Sequence, residues 1–263
     1  MAPSRRTFLK LLIATLSTQG WAADPHDAEI RRGREFLAGL LDADLRLLPE
    51  FRGAKTYWLS HDNYLAAKVL ARTHPQIAGT ILAAIRGEGI GESDGKVELF
   101  VGEASQVLPF RHYELKEVRR VGDKVIRTEV AGDRAMTGWE TYADLLFIAS
   151  MAERALPAAR EHWESAMRMW DGKGFADAAF KEQRIYATYK LALATLAAGK
   201  LSPRAEVPPA LLHRLFALQS ESGGWITDYD ADAKAIGVAN VETTSLAILA
   251  LESVSETAPA KPL

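Results

Sequence analysis

Gln219-Ser220-Glu221-Ser222-Gly223-Gly224-Trp225 separates two stretches of helical apolar spacing, and Glu242-Thr243-Thr244-Ser245-Leu246-Ala247 opens the second of them. Two glycines before a large aromatic let the chain turn sharply, and the ring can then plug the gap between the helices on either side. Asn, Asp, Thr or Glu just ahead of an apolar, alanine-rich run is a helix start: the oxygens accept from first-turn N–H groups, and Glu suits the positive end of the helix dipole. The segment predicts an outer helix, a tight turn, and an inner helix with a polar mouth.

The same unit recurs along the chain. Trp170-Asp171-Gly172-Lys173-Gly174-Phe175 leads toward Ala187-Thr188-Tyr189-Lys190-Leu191-Ala192. Similar starts stand at His61-Asp62-Asn63-Tyr64-Leu65-Ala66 and Glu140-Thr141-Tyr142-Ala143-Asp144-Leu145. A repeated supersecondary unit has to be recognised before single motifs are read. Apolar residues recur at helical spacing over 30–41, 65–70, 77–85, 142–155, 157–170, 185–198, 210–218 and 243–254. Between the third and fourth of these, Val97, Leu99 and Val101 alternate with polar residues, as do Tyr113, Leu115 and Glu117 up to a Gly122-Asp123 turn, after which 125–130 resumes. That pattern predicts a hairpin with a third strand near it, inserted at about 96–131 as a lid or rim, or as a purely structural flap.

The stretch 219–225 resembles the Gln-Trp repeat of the squalene cyclase and protein prenyltransferase-like α/α toroids, and the helix after Glu242 resembles the inner helix that follows it. The likeness covers the chain from about Trp170 onward, and the remainder only through helical periodicity. It implies an all-α fold, an α/α toroid built as an incomplete barrel of helical hairpins, here with a small antiparallel β insertion. It implies no single activity, because one architecture serves many chemistries. Two departures argue against terpene chemistry: no Asp-X-Asp-Asp acid is present, since Asp228-Tyr229-Asp230-Ala231-Asp232 has another spacing, and no cysteine exists for the family's zinc site.

The 263 residues are 48% hydrophobic and 25% charged, with a formal net charge of -2. This is the composition of a globular chain, and its balance gives no field for a polyanion, so nucleic acid is excluded as a main partner. The lack of cysteine excludes disulfides, thiolate metal centres and Cys nucleophiles. Ser4-Arg5-Arg6-Thr7-Phe8-Leu9-Lys10, the apolar run 11–16 and Ala22-Ala23 form a basic, apolar and small-residue sequence that resembles a twin-arginine export signal. The expectation is a signal peptide at 1–22, a single domain at 23–263, and a periplasmic or extracellular protein that leaves the membrane once cleaved. The apolar run is short of the about 20 residues that span a bilayer.

If the inner helices point their mouths one way, Asp62, Glu140 and Glu242 converge on one cleft, joined by Asp228 and Asp171 from the Gly-aromatic loops. Two carboxylates across a cleft are the minimum equipment for cleaving a glycosidic bond. Tyr57, Trp58, Trp139, Trp170 and Trp225 lie nearby in sequence and offer faces on which sugar rings stack, while His61, Asn63, Tyr189, Asn240 and Thr243 supply hydrogen bonds. The catalytic candidates are Asp62, Glu242, Asp228 and Glu140, and the substrate is a glycan or another small polar ligand. The plainer alternative makes the acids and hydroxyls helix caps and the tryptophans core plugs.

No metal or other cofactor is expected. Asp228, Asp230 and Asp232 have the first spacings of a calcium loop, but Ala233 and Ala239 stand where the turn glycine and the bidentate Glu belong. The histidines form no pair at zinc spacing, and neither a Gly-x-Ser-x-Gly elbow nor a phosphate-binding loop occurs. The leading reading is a glycan hydrolase or lyase. Its alternatives are a non-catalytic toroid that binds a glycan or a protein and, third, an apolar terpenoid pocket. Oligomeric state leaves no mark on the sequence.

Overall fold

Helices sort by how much of their surface is apolar. In the computed structural model, which describes residues 26–90, 95–103 and 105–255, α1 (Asp27–Ala38), α3 (Pro75–Gly87), α6 (Leu156–Met167) and α9 (Pro209–Ala217) bury a single stripe each. By contrast, α2 (Tyr64–Leu70), α5 (Ala143–Ala152), α8 (Thr188–Lys200) and α10 (Val241–Ser255) are buried nearly all round, and every residue of α8 from Lys190 to Ala198 is buried. A helix apolar on all sides has to be enclosed. Accordingly α5 packs on α8, α8 on α10 and α10 on α2, while α3 covers α2, α6 covers α5, α9 covers α8 and α1 covers α10. The chain thus passes from an outer to an inner helix four times among the described residues.

These eight helices fall on the eight periodic segments. Pro75, Pro157 and Pro209 stand in first turns, where a missing N–H costs nothing. The signal expected at 1–22 lies outside the described residues. No helix among the described residues is long and apolar enough to cross a membrane.

The Gly-Gly-Trp turn ties the last helix pair to the first. Gly223 has φ +94°, and a Cβ on it would sit 2.4 Å from the carbonyl of Arg32 on α1; a Cβ on Gly224 would meet the Phe36 ring at 2.6 Å. Trp225 is wholly buried, its Nε1 donates to the Leu215 carbonyl at 2.8 Å, and its backbone N–H donates to Thr244 Oγ1 at 2.9 Å. Gln219 Nε2 donates to the carbonyls of Glu29 and Gly223 at 2.9 and 2.8 Å. The residues of this stretch therefore fix helix ends.

The insertion is a long hairpin, β2 (Arg111–Val121) and β3 (Lys124–Ala135), joined at Gly122-Asp123 with Gly122 at φ +62°. Its third strand is β1 (Thr56–Trp58), which pairs parallel to β3 with Tyr57 opposite Ile126. Two expectations are corrected here. Residues 97–101 contain no strand but a short helix, α4 (Lys96–Phe100), burying Val97, Leu99 and Phe100. With this sheet, a further two-stranded pairing of β4 (Tyr186–Ala187) with β5 (Asp228–Tyr229), and a short α7 (Ala178–Gln183), the chain is mixed and predominantly helical instead of all-α.

Candidate functional site

The mouths of three inner helices repeat one rule. Asp144, Tyr189 and Glu242 are each the second residue of their helix, α5, α8 and α10. Four residues further on, one turn deeper on the same face, stand Ile148, Leu193 and Leu246. All six line one cavity of about 340 Å³, polar at its mouth and aliphatic at its floor.

The fourth side comes from the π-helical turn Leu59–Asn63 that precedes α2. Such turns are rare and gather at functional sites. His61 and Asp62 both line the cavity from it. Because β1 runs into this turn and pairs with β3, the strand continues past Arg127 to bring Glu129 beside His61. The insertion thus adds Glu129, and α4 adds Lys96 and Phe100; Glu50 completes the acidic rim.

His61 is the hub. Its Nδ1 lies 3.1 Å from Glu129 Oε2, and its Nε2 lies 3.4 Å from Asp62 Oδ1 and 3.8 Å from Glu242 Oε1. One donor atom from each of His61, Asp62 and Glu242 lies within 4.8 Å of the others. Asp62 is 5% exposed, and its Oδ1 has no hydrogen-bond partner among the described residues. In the same cavity, the Tyr189 hydroxyl donates to Asp144 Oδ2 at 3.0 Å, and Asp144 Oδ1 is 3.6 Å from Lys190 Nζ. Lys190 is itself buried against Asp177, which accepts from the N–H groups of Ala143 and Phe180 and so pins the starts of α5 and α7.

The electrostatics follow from burial and crowding. Burial pushes Asp62 above the ordinary carboxylate range; His61 opposes this, while Glu242, Glu50 and Glu129 reinforce it. Glu242 is raised for the same first reason. Its side chain is 35% exposed, but into the cavity. Burial alone would lower His61, yet Asp62, Glu129 and Glu242 outweigh it and push the imidazole up to about 10. Tyr189 is pushed well above its usual value by burial, then by Asp144 and Glu242.

Of the residues singled out in the sequence, the structure brings His61, Asp62, Tyr189 and Glu242 together and places the others elsewhere. Glu140 is exposed in a 3₁₀ turn, Trp139–Thr141, ahead of α5. Trp139 packs edge-on against Phe110, 5.1 Å between ring centres. Asp228 belongs to β5, and Asp171 accepts from the N–H groups of Lys173 and Gly174 and from the Tyr186 hydroxyl, closing its own turn. Trp170 pairs with Phe175, 5.6 Å between ring centres, and with the buried Trp225 it is a structural plug. Tyr57 is buried with its hydroxyl on Asp42 Oδ2 at 3.0 Å; the side chain of Trp58 lies outside the described residues. Asn63 clamps both backbone groups of Leu48, at 2.7 and 3.0 Å, and Asn240 Oδ1 caps α10 through the N–H of Thr243 at 2.9 Å. Thr243 is buried. Asp62 does not cap α2, and the residues just ahead of α5 and α8 lend no side-chain cap either, so the polar residues at these starts are not caps of their own helices. The acidic loop after Asp228 satisfies itself: Asp230 Oδ1 accepts from the N–H groups of Asp232 and Lys234.

Glu50, Lys96, Glu129 and Asp144 belong to the cavity and were not singled out. Asp144 alone carried a readable signal, its place at the start of an apolar helix. Comparison of the chain with protein-family models, curated proteins and solved structures returns no match.

Proposed function

We propose that the chain is an exported α/α toroid that cleaves a polyhydroxylated substrate, an oligo- or polysaccharide, in the cavity at the mouths of its inner helices. The observation that carries this is the convergence of Asp62 and Glu242 from different helices onto His61, with a buried Asp62 oxygen that makes no hydrogen bond among the described residues. Buried polar atoms are normally satisfied, and functional sites are where they are not. The alternation of outer and inner helices around this mouth supports the toroid, and the paired arginines at Arg5-Arg6 support export to the periplasm or beyond.

Breaking a glycosidic bond needs one group to protonate the leaving oxygen and another to take a proton, from water in hydrolysis or from a sugar carbon in elimination. Asp62 and Glu242 line the cavity from the turn before α2 and from α10, and the Tyr189–Asp144 pair lines it from α8 and α5. The carboxylates of Glu50, Asp62, Glu129, Asp144 and Glu242 offer acceptors to sugar hydroxyls, and they make the lining unsuited to an apolar terpenoid.

The test is a screen of the mature protein against neutral and uronic-acid oligosaccharides, with products read by mass spectrometry. Turnover of a defined linkage that is lost in Glu242→Gln is the expected result. Ligand binding without turnover would make the chain the non-catalytic glycan-binding toroid.

A further inference from the structure

The cavity holds more negative charge than its own cations answer. Glu50, Asp62, Glu129, Asp144 and Glu242 face Lys96 and His61. Three donors there span a small volume: His61 Nε2 to Asp62 Oδ1 is 3.4 Å, His61 Nε2 to Glu242 Oε1 is 3.8 Å, and the set closes within 4.8 Å. Zinc-type bonds to nitrogen and carboxylate oxygen are about 2.0–2.2 Å long, which at a tetrahedral ion puts two ligand atoms about 3.4 Å apart; the His61–Asp62 pair already stands at 3.4 Å, and Glu242 reaches that spacing by a small side-chain rotation. Asp62 Oδ1 is buried and without a hydrogen-bond partner among the described residues. On the far side of the ring, Glu129 faces His61 Nδ1 at 3.1 Å, the position of the carboxylate that orients a metal-bound histidine.

We infer that His61 Nε2, Asp62 and Glu242 hold a divalent first-row cation, Zn²⁺ or Mn²⁺, with Glu129 fixing the imidazole. One nitrogen and two carboxylates suit these ions better than Ca²⁺ or Mg²⁺, which take oxygen alone. Three protein ligands leave positions open to the cavity, the arrangement of a reactive and not a structural centre. The inference rests on the reading of this cavity as the functional site. It assigns Asp62 and Glu242 to ion binding, and it leaves proton transfer to Tyr189 and Asp144.

The experiment is titration of the chelator-stripped mature protein with Zn²⁺ by calorimetry and with Mn²⁺ by electron paramagnetic resonance, at neutral to mildly alkaline pH. One ion per chain is expected, with affinity falling at least tenfold in His61→Ala and Glu242→Gln, about tenfold in Glu129→Gln, and unchanged in Thr80→Ala, which lies on α3. Absence of stoichiometric binding by the unaltered chain overturns the inference without any variant having to fold. Binding that survives His61→Ala and Glu242→Gln overturns it as well. The two readings fail separately: glycan cleavage that persists after chelation, yet is lost in Asp62→Asn, removes the metal and keeps the enzyme. A bound ion with no substrate turned over keeps the metal and removes the enzyme.

Discussion

The hydroxyl of Tyr189 donates to Oδ2 of Asp144 at 3.0 Å, joining the first turns of α8 and α5 in the cavity that Asp62 and Glu242 also line. Neither residue caps its helix. The contact gives the cavity a hydroxyl with an acceptor already in place. Tyr189→Phe removes that hydroxyl and little else. Turnover of the glycan proposed as substrate is expected to fall at least 100-fold with KM changed less than kcat, and unfolding free energy is expected to stay within about 1 kcal/mol, the size of one hydrogen bond. Steady-state kinetics with urea unfolding checks both.

Behind Asp144 lies the buried Lys190–Asp177 pair. Lys190→Met strips the partner from a buried carboxylate and is expected to cost about 3–5 kcal/mol, while Lys190→Met with Asp177→Asn recovers part of it, since the asparagine leaves no charge behind. Chemical denaturation of the two variants decides. Equal losses would make the pair a packing element and not an electrostatic one.

Gly223 sits where a side chain has neither the backbone angle nor the room, at φ +94° with the Arg32 carbonyl 2.4 Å from a would-be Cβ. Gly223→Ala is expected to destabilise the fold by about 2–3 kcal/mol, whereas Gly79→Ala, with open space around it on α3, is expected to stabilise slightly. Thermal melts of both report the contrast.

Acid sensitivity has a named source on the insertion side. Burial works against ionised Asp42, but hydrogen bonds from Lys124, the Leu45 N–H and the Tyr57 hydroxyl outweigh it and hold the carboxyl down at about 2. A group depressed in the folded state contributes stability above its unfolded value of about 3.9 and loses it as pH falls toward the folded value. Asp42→Asn is therefore expected to be less stable at pH 7 by about 1–2 kcal/mol, with the gap closing between pH 4 and pH 2. A gap that stays constant with pH would show that the contacts of Asp42 do not depend on its charge.

The eight inner and outer helices were legible because each carries its own apolar period, and Pro75, Pro157 and Pro209 mark the starts of three of them. The hairpin was legible from the alternation around Gly122-Asp123. Residues 97–101 misled because over five residues Val97, Leu99 and Val101 satisfy an alternating pattern as well as one helical turn does. The third strand, Thr56–Trp58, is too short to announce itself, and its parallel pairing with β3 is a contact between distant parts of the chain. That pairing is what delivers Glu129 to His61, so one of the site's five carboxylates was hidden with it. Reading Glu140 as the counterpart of Glu242 was a slip of register. Both precede an apolar run, but α5 begins only at Ala143, and the residue in the place of Glu242 is Asp144.

The central claim, that the carboxylates meeting at His61 act on a glycan, is tested most directly by incubating the unaltered mature chain and Asp62→Asn in parallel with the best substrate from the oligosaccharide screen and weighing the products. Cleavage by the unaltered chain and at least a 100-fold loss in Asp62→Asn at matched folded concentration are expected. Cleavage at the same rate by both proteins, or by neither on any glycan offered, would contradict the claim.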